Sequence, residues 1–587
     1  MAMVPTNQSR SVVAIDFGTS TTLIAVRPAN GIPEVIPIGD QPGVTMMPSI
    51  IDSEDLTKVG ETVLEGRRHL SVKSELTRIE QFAVSPEERS IAEARVRAII
   101  NEAVRRARQQ LPDLFNDSDV FVGCPALWSG ENRKRLATIV HDLGLSVDYG
   151  NVLDEPVAAG ISWIRSEWLE GGSKPVGSVL VFDPGGGTLD VAYLRVAENR
   201  DADLPDISIY YADSIAKSGD YVDSLLTHSL GESNAQLSNH KLDPALRNAA
   251  RAIKEQLSFR TEARVNVGEP INAVIACDRP TLNMAMRPLI ADMHRLIENV
   301  VKGTLLRRHG GITPFEIRTN EAFDYTSVLA AEVDYVVLAG GLSRTPLFAD
   351  ELGNTFRNAK IISLDNPQEA VVTGLCYGKE LVHLNLPRPP ISFFANVSYV
   401  DDKGAKISEE ICVYEAFSPI FRFADAVAGN GNIYASWRCD IKHQATVEFY
   451  AVVPTIHDRT PLSSRLVAFE STMPELVPPP ERLELKWWDS RSGAAPQSHA
   501  QRSSTFVRTR FTHDPRSATG EARFVMYPTA EILFQGASRQ QAVRVDSWSP
   551  TPANFELGNG IAIARLWYAP ADRKSTGLSY TEDWRFN

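Results

Sequence analysis

The sequence has few cysteines, and none of them stands in a metal-binding or redox spacing. Five of its 587 residues are cysteine, and no two of them form a Cys-x-x-Cys pair. Because the count is odd and the spacings are wide, we expect neither a disulfide framework nor a zinc site. This cysteine usage is typical of a reducing compartment and predicts a cytoplasmic location.

Long apolar runs and an excess of positive charge are also missing. No apolar run approaches the roughly 20 residues that cross a membrane, so we expect no membrane partner. The formal net charge of −13 makes a general nucleic-acid-binding surface unexpected. The phosphate-binding pattern Gly-x-x-x-x-Gly-Lys-Ser/Thr is absent from the sequence, which excludes nucleotide binding by that loop. The 43% hydrophobic content is that of a globular chain with several packing units.

A Gly-rich turn between two apolar segments is the most informative feature that is present. Residues 179–182 are apolar, and two acids, three glycines and a threonine follow them: Asp183, Gly185, Gly186, Gly187, Thr188 and Asp190. Adjacent glycines let backbone N–H groups approach an anion, because no Cβ blocks the way. The two carboxylates can hold a hydrated Mg²⁺. The segment therefore predicts a phosphate-binding hairpin.

Two further segments follow the same pattern. The apolar residues 12–15 lead into an acid, a glycine and a hydroxyl cluster: Asp16, Gly18, Thr19, Ser20 and Thr21. The strand-like residues 336–339 end at Gly340 and Gly341, which is a usual ligand position in α/β sheets. Two phosphate-binding hairpins and a distant Gly-Gly turn predict a two-lobed ATPase with the nucleotide between its lobes.

In this order the motifs resemble the actin, hexokinase and heat-shock ATPase superfamily. Within it the chain most resembles the seventy-kilodalton heat-shock chaperones, the heat shock protein 70 family. The similar segments are the two connecting helices, the adenosine-side helix and a Pro and Arg relay: residues 153–160, 366–371 and 246–258, with Pro125 and Arg133. The resemblance covers about residues 11 to 382. It implies an actin-like two-lobed α/β fold of duplicated ribonuclease-H-like domains.

The resemblance also implies the cofactors ATP/ADP and Mg²⁺ and assigns roles to residues. Asp16, Asp183 and Asp190 would surround Mg²⁺ through its waters. The hydroxyls of Thr19, Ser20 and Thr21 would line the β- and γ-phosphates, and Gly185 to Thr188 would close over them from the other lobe. Glu155 would orient a water near the metal. The predicted catalytic residues are Glu155, Asp183 and Asp190, together with Lys73, which is discussed next.

A cation should also reach the γ-phosphate, because the transition state spreads negative charge over its oxygens. Lys73 is the candidate, since it lies beyond the first hairpin, where the family carries its essential lysine. Lys58, Arg67 and Arg68 are the competing cations in this part of the sequence.

On the adenosine side the match is incomplete. The matching residues, with the glycine of the loop that closes on phosphate, are Gly219, Lys254, Ser258, Gly340, Gly341 and Arg344. Arg251 stands where the family usually has Glu, and Glu255 stands where it often has Arg. Gln368 replaces a usual Asp. Because the family's Glu meets the ribose hydroxyls, these departures leave the nucleotide preference open.

The pattern of the chain changes near residue 386. We expect one ATPase lobe at 11–175, a second at 176–384, a linker at 385–390 and a β-rich domain at 391–587. Within the lobes, apolar spacing predicts helices at 91–110, 132–143 and 292–307. The last 200 or so residues alternate in short strand-like segments, which predicts an all-β sandwich or barrel. They leave no long helix for a peptide-trapping lid, so we expect a folded protein partner or client there.

The resulting interpretation is a Mg²⁺-dependent, ATP-hydrolysing switch of the heat-shock-chaperone type, slow without its partner. It would couple nucleotide state to partner binding through the β domain. One alternative is a non-hydrolysing nucleotide sensor or scaffold, which the altered ribose side favours and the acidic residues disfavour. Another is an actin-like filament protein, against which the large C-terminal region argues.

Overall fold

The structure is a computed structural model that covers most of the chain up to residue 419 and the strands that follow. The residues it describes are 10–29, 31–82, 84–115, 118–169, 174–198, 204–233, 237, 243–269, 271–308, 330–378, 382–385, 388, 392–400, 403–419, 434–440, 444–454, 459–461, 467–472, 482–488, 502–513, 519–529, 564–569 and 580–584. Asn385 and Arg388 are the described residues of the predicted linker. Among the described residues, no helix has both the length and the apolar character that a membrane span needs.

The first lobe is built on a mixed sheet with helices packed against it. Its strands are β1 (Ser11–Phe17), β2 (Thr21–Arg27), β3 (Glu34–Val35), β4 (Met47–Pro48), β5 (Ile51–Asp52), β6 (Arg68–His69), β7 (Ser118–Cys124) and β8 (Val152–Asp154). Its helices are α1 (Val72–Gln81), α2 (Pro86–Gln110), α3 (Gly130–His141) and α4 (Glu155–Leu169). The main sheet has the order β3-β2-β1-β7-β8, with β4 paired to β2.

The second lobe repeats this plan around another mixed sheet. Its strands are β9 (Gly177–Pro184), β10 (Leu189–Ala197), β11 (Asp206–Ile215), β12 (Glu262–Val267), β13 (Ala273–Asp278), β14 (Tyr335–Leu338), β15 (Lys360–Ser363) and β16 (Val382–Asn385). Its helices are α5 (Gly219–Ser233), α6 (Pro244–Phe259), α7 (Arg279–Arg308), α8 (Pro346–Thr355) and α9 (Ala370–Leu375). The sheet order is β15-β14-β9-β10-β11-β16.

The two sheets share one local topology. In the first, β1 pairs antiparallel with β2 and parallel with β7, which is parallel to β8. In the second, β9 pairs antiparallel with β10 and parallel with β14, which is parallel to β15. In each lobe the hairpin turn lies at the carboxyl end of the first strand, beside the carboxyl ends of the parallel strands. The duplication therefore brings one equivalent turn to the ligand-binding edge of each sheet.

The two lobes share one apolar core through α4 and α9. Ala14 and Leu23 of the first sheet, Val181 of the second, and buried residues of both helices belong to the same cluster. At Gly374 of α9 an added Cβ would collide with the carbonyl oxygen of Ala158 in α4. Glycine is required at this position because the two helix backbones touch there.

After residue 391, every element that the structure describes is a strand. The bounds are β17 (Ser392–Val400), β18 (Lys406–Tyr414), β19 (Tyr434–Asp440), β20 (Gln444–Pro454), β21 (Arg459–Pro461), β22 (Val467–Thr472), β23 (Arg482–Trp488), β24 (Arg502–His513), β25 (Thr519–Thr529), β26 (Ala564–Ala569) and β27 (Tyr580–Trp584). They pair in two sheets, β18-β17-β20-β21 with β22 on β20, and β19-β25-β24-β23-β26-β27. The all-β architecture and the bounds of the four predicted segments stay predictions.

The helix expected at 132–143 spans Gly130–His141, and the other two predicted helices begin at least five residues earlier than expected. The helix expected at 91–110 starts at Pro86, because Ser85 and Glu88 form a reciprocal capping box ahead of it. The helix expected at 292–307 starts at Arg279 and contains Pro288 in its interior. The expectation for α7 was wrong because an interior proline usually ends a helix.

Candidate functional site

Two hairpin turns face each other across the cleft between the sheets. In the first, the N–H of Gly18 donates to the carbonyl oxygen of Thr21 at 3.0 Å, and in the second, Gly185 donates to Thr188 at 2.9 Å. A Cβ on Gly186 would collide with the Ser20 hydroxyl. The turns thus approach so closely that a side chain at Gly186 would close the gap in which phosphates would lie.

The Gly-Gly turn after β14 forms the third wall. Gly340 has φ +70°, a conformation that favours glycine, and a Cβ there would collide with the carboxylate of Asp183. Its N–H donates to the carbonyl oxygen of Pro367 at 2.9 Å. Gly341 lies against Gln368, whose Nε2 would be 3.1 Å from an added Cβ.

These three turns enclose a cavity of about 380 Å³, within the range of small-molecule sites. Most of the residues expected at the site line it: Asp16, Gly18, Thr19, Ser20, Thr21, Lys73, Glu155, Asp183, Gly185, Gly186, Thr188, Gly219, Lys254, Ser258, Gly340, Gly341 and Arg344. The expected residues outside the lining are Gly187 and Asp190. Asp190 lies deeper, where its carboxylate accepts a hydrogen bond from the Ala126 N–H at 2.9 Å.

The lining also contains residues for which we expected no role. They are Leu23, Glu255, Phe259, Leu342, Pro367, Gln368 and Val371. Glu255 and Gln368 stood out in the sequence only as departures from the family. Phe259 carried a signal in its spacing, because it follows Glu255 by four residues on the same helix and so shares its face.

The buried acids repel one another. Asp183 and Asp190 are directly opposite on β9 and β10. Burial first, and then the charges of Asp190, Glu155 and Asp16, hold the pKa of Asp183 well above its usual range. Burial and Glu155 also raise the pKa of Asp16 to about 7. Binding of a cation here would relieve this repulsion, and carboxylate oxygens are ligands that Mg²⁺ accepts.

No three His, Cys, Asp or Glu side chains within the described ranges converge closely enough to ligate a metal directly. The expected contacts of Asp16, Asp183 and Asp190 run through water, and they stay a prediction.

Lys73 points into this acidic group. Its ammonium forms a buried ion pair with Glu155. Burial lowers the pKa of Lys73, but the charges of Glu155 and Asp16 raise it further, so the pKa lies above its ordinary value. The lysine is therefore charged at neutral pH.

The competing cations lie elsewhere. Lys58 pairs with Asp55 at 3.2 Å with over half of its side chain exposed, and Arg67 pairs with Asp52 at 2.9 Å. Arg68 donates to the carbonyl oxygen of Val63 at 3.0 Å. None of these three cations lines the cavity, which leaves Lys73 as the candidate.

The family model described as Hsp70 protein matches residues 63–378, more than half of the chain. This chain belongs to the Hsp70 family. The match confirms the resemblance inferred from the motifs, and with it the actin-like two-lobed α/β fold of the ATPase region. Members of this family are ATP-binding, chaperone-type ATPases.

Relatives of this Hsp70-family chain include proteins named chaperone protein HscA homolog. Those of Burkholderia mallei (strain SAVP1) and Burkholderia cenocepacia are each 27% identical over 414 residues. That of Burkholderia pseudomallei (strain 668) is 28% identical over 416 residues. Each alignment covers 65% of this chain and 60% of the relative. The chain therefore spans about three-fifths of the length of these curated relatives.

A buried arginine joins the ATPase region of this Hsp70-family chain to the segment that follows it. Arg388 is almost fully buried, and it donates to the carbonyl oxygens of Trp128 at 2.9 Å and of Ala126. Its Nε lies 3.3 Å from Asp154, which also forms an ion pair with Arg133. The expected relay residue Arg133 thus meets the linker through one shared carboxylate.

The loop after β18 contacts the same face of the first lobe. Arg388 also donates to the carbonyl oxygen of Phe417 at 2.9 Å, and the Gly130 N–H donates to the Ser418 hydroxyl at 2.8 Å. Lys134 forms an ion pair with Glu415. A Cβ on Gly130 would collide with the carbonyl oxygen of Ala416. Residues 415–418 therefore lie on α3, while Arg388 contacts the residues just before that helix. We call residues 415–418 together with Arg388 the docking segment.

Proposed function

We propose that this chain hydrolyses ATP with Mg²⁺ and uses the cycle to switch contacts between its ATPase region and its C-terminal region. The observation that carries this proposal is the joint lining of one cavity by two glycine hairpins, a Gly-Gly turn, Lys73 and Glu155. Phosphoryl transfer requires positioning and charge neutralisation more than covalent chemistry, and this set of groups supplies both.

Each group of residues at the cavity would have a separate role in the reaction. The backbone N–H groups and hydroxyls of the two hairpins would bind the phosphate oxygens. Lys73 would neutralise charge on the γ-phosphate, and Glu155, which holds the Lys73 ammonium, would orient the attacking water. Asp16, Asp183 and Asp190 would hold Mg²⁺ through water molecules. The bound ion would neutralise further negative charge on the phosphates.

Coupling to the C-terminal region would run through Ala126. Its N–H donates to the Asp190 carboxylate, and its carbonyl oxygen accepts from Arg388 of the docking segment. One residue therefore contacts both the acidic group and the linker. A shift of Asp190 on nucleotide binding would change the Arg388 contact, which is the kind of two-state link that coupling requires.

The test is phosphate release by the full chain with Mg-ATP. We expect slow turnover in the wild type and turnover at background level in Asp183→Asn, which keeps the side-chain volume. Asp55→Asn, at an exposed pair outside the cavity, serves as the matched control and should retain wild-type turnover. Wild-type turnover no greater than that of Asp183→Asn would overturn the proposal in favour of a non-hydrolysing sensor.

For the C-terminal region we propose a folded protein partner or client. The described elements there are strands, whereas retention of an extended peptide by a nucleotide-driven lid needs an element that closes over it. Short hydrophobic peptides should bind the full chain weakly and with the same affinity with and without ATP in fluorescence anisotropy. Tight binding that ATP releases would contradict this part of the proposal.

A further inference from the structure

Ser71 begins helix α1 in a backbone conformation that is unusual for a serine. It immediately precedes the helix and has φ 58° and ψ 34°, in the left-handed region. A serine at this position usually has an extended backbone, and its hydroxyl accepts a hydrogen bond from an N–H of the first helical turn. The Ser71 hydroxyl makes no such bond. Because the left-handed conformation is unfavourable for a residue other than glycine, it persists where a neighbouring group holds it.

The group that holds Ser71 belongs to the second lobe. The Ser71 hydroxyl donates a hydrogen bond to the carboxylate of Asp220, in the first turn of α5. Ser74, in the first turn of α1, also lies close to the second lobe, since a Cβ on Gly187 would be 3.1 Å from its hydroxyl. The first turn of α1 therefore lies against the second phosphate-binding hairpin and the start of α5.

Asp220 is in turn fixed within the second lobe. Its N–H donates to the carbonyl oxygen of Gly186 at 2.7 Å, and its carboxylate accepts from Nη2 of Arg251 at 2.8 Å. Nε of Arg251 donates to Asp223 at 2.9 Å, and Asp223 is fully buried, 2.6 Å from the Lys254 ammonium. A guanidinium donates from a rigid planar fork, so Arg251 sets the position of one carboxylate relative to the other.

This chain of contacts ends two residues before Lys73. Ser71, Asp220 and Arg251 are all absent from the lining of the cavity, whereas Lys73 is part of it. The three residues can therefore affect a bound phosphate only through a group that they position. Lys73 lies in the helical turn that Ser71 begins, and its ammonium is held at the other end by Glu155.

We infer that Arg251, Asp220 and Ser71 are positioning residues for Lys73. This inference rests on the proposed function and adds the residues of the second lobe that place its cation. Arg251 holds the Asp220 carboxylate, Asp220 holds the Ser71 hydroxyl, and Ser71 sets the direction in which α1 begins. Because a displacement of about 1 Å at a reacting centre costs roughly a hundredfold in rate, a small shift of this turn would reduce turnover without removing any group that binds the nucleotide.

Single-turnover phosphate release and equilibrium binding of Mg-ATP, both on the full chain, test the inference. Ser71→Ala and Arg251→Met should each lower the rate of release roughly tenfold to a hundredfold, the factor expected for loss of a hydrogen bond to a charged group. ATP affinity should change less than about twofold, because neither side chain lines the cavity. Ser71→Asn should recover most of the rate, since asparagine tolerates the left-handed conformation and its amide can donate to Asp220.

Two matched controls separate this role from a general effect on folding. Ser85→Ala removes the hydroxyl that caps α2, so it should lower the melting temperature slightly and leave the release rate unchanged. Arg247→Met removes an exposed arginine one turn before Arg251 on α6 and should change neither quantity.

The double variant Ser71→Ala with Lys73→Met tests whether the effect runs through the ammonium. Its release rate should equal that of Lys73→Met alone, because a positioning residue has no effect once the group that it positions is gone. A further loss of tenfold or more in the double variant would show that Ser71 acts on another group and would overturn the inference.

The remaining outcomes distinguish this inference from the proposed function. A release rate in Ser71→Ala equal to that in Ser85→Ala would overturn the positioning role while ATP hydrolysis itself stood. Loss of ATP affinity as large as the loss of rate in Arg251→Met would show that Arg251 supports nucleotide binding and would also overturn it. A wild type that releases no phosphate would overturn the proposed function, and this inference with it.

Discussion

Replacement of Lys73 tests the electrostatic account of the cleft most directly. The structure places the Lys73 ammonium among the carboxylates of Asp16, Glu155 and Asp183, in an ion pair with Glu155. Lys73→Met keeps an unbranched side chain of similar length and removes the charge. The three carboxylates then repel one another without the compensating cation.

The burial of this pair determines the expected magnitude. The Lys73 and Glu155 side chains are 4% and 10% exposed, so the energetics of a buried pair apply instead of those of a surface pair. Removal of one partner of a buried pair costs about 3–5 kcal/mol. For an unfolding unit of the size of one lobe, this corresponds to a fall in melting temperature of roughly 6 °C or more.

Thermal unfolding and phosphate release should be measured on the same four proteins: wild type, Lys73→Met, Glu155→Gln and the double variant. We expect the double variant to recover part of the melting temperature lost in Lys73→Met, because Glu155 loses its charge together with Lys73 while Asp16 and Asp183 keep theirs. Turnover should stay about a hundredfold to a thousandfold low in Lys73→Met and in the double variant, as for loss of a transition-state charge contact. Lys58→Met, at an exposed pair, is the control. A double variant no more stable than Lys73→Met would refute the reasoning.

Four further outcomes follow from the structure. Gly130→Ala should speed protease cleavage at 385–392, because its Cβ would collide with Ala416, whereas Gly66→Ala, with no atom within 4 Å of its added Cβ, should not. Arg388→Met should abolish ATP-dependent protection of residues 385–392 from protease, with less than about a twofold change in ATP affinity. Arg133→Met should also lower the melting temperature, because it removes a buried partner of Asp154 and Val152. Gly374→Ala should destabilise the ATPase region by about 1–3 kcal/mol, measured against Gly353→Ala, whose nearest neighbour is 3.9 Å away. Chelation of Mg²⁺ with EDTA should stop phosphate release and lower ATP affinity, and unchanged turnover would contradict the role given to the acids.

Local patterns in the sequence predict the turns of the site well, because each turn depends on glycines and acids that are adjacent in sequence. Gly18, Gly185 and Gly340 each begin or follow a short apolar segment, and each lies at the cavity. The position of Lys73 followed from the family order of motifs. Its partner could not follow from pattern alone, because Glu155 is 82 residues away and only the fold brings the two together.

The features that the sequence did not predict have identifiable physical causes. The start of α2 was marked by Ser85 and Glu88, a capping signal that outweighs the weaker apolar spacing before residue 91. Pro288 concealed the first turns of α7. Arg388 stood in a Pro-rich segment that reads as an exposed linker, and its burial depends on carbonyl oxygens of Ala126 and Trp128, which no local pattern connects to it.

The contact of Gly374 with the Ala158 carbonyl oxygen bears on how the two lobes could rotate. Where helices cross through interdigitated side chains, a rotation requires rotamer changes, and these divide the motion into steps. At Gly374 the two backbones touch directly, so the axis of a small rotation could pass through a contact that involves no side chain. A turn of a few degrees about this pivot would displace distant groups more than near ones. A rotation about the Gly374 contact would therefore change the separation of the hairpin tips at Ser20 and Gly186, which belong to different lobes.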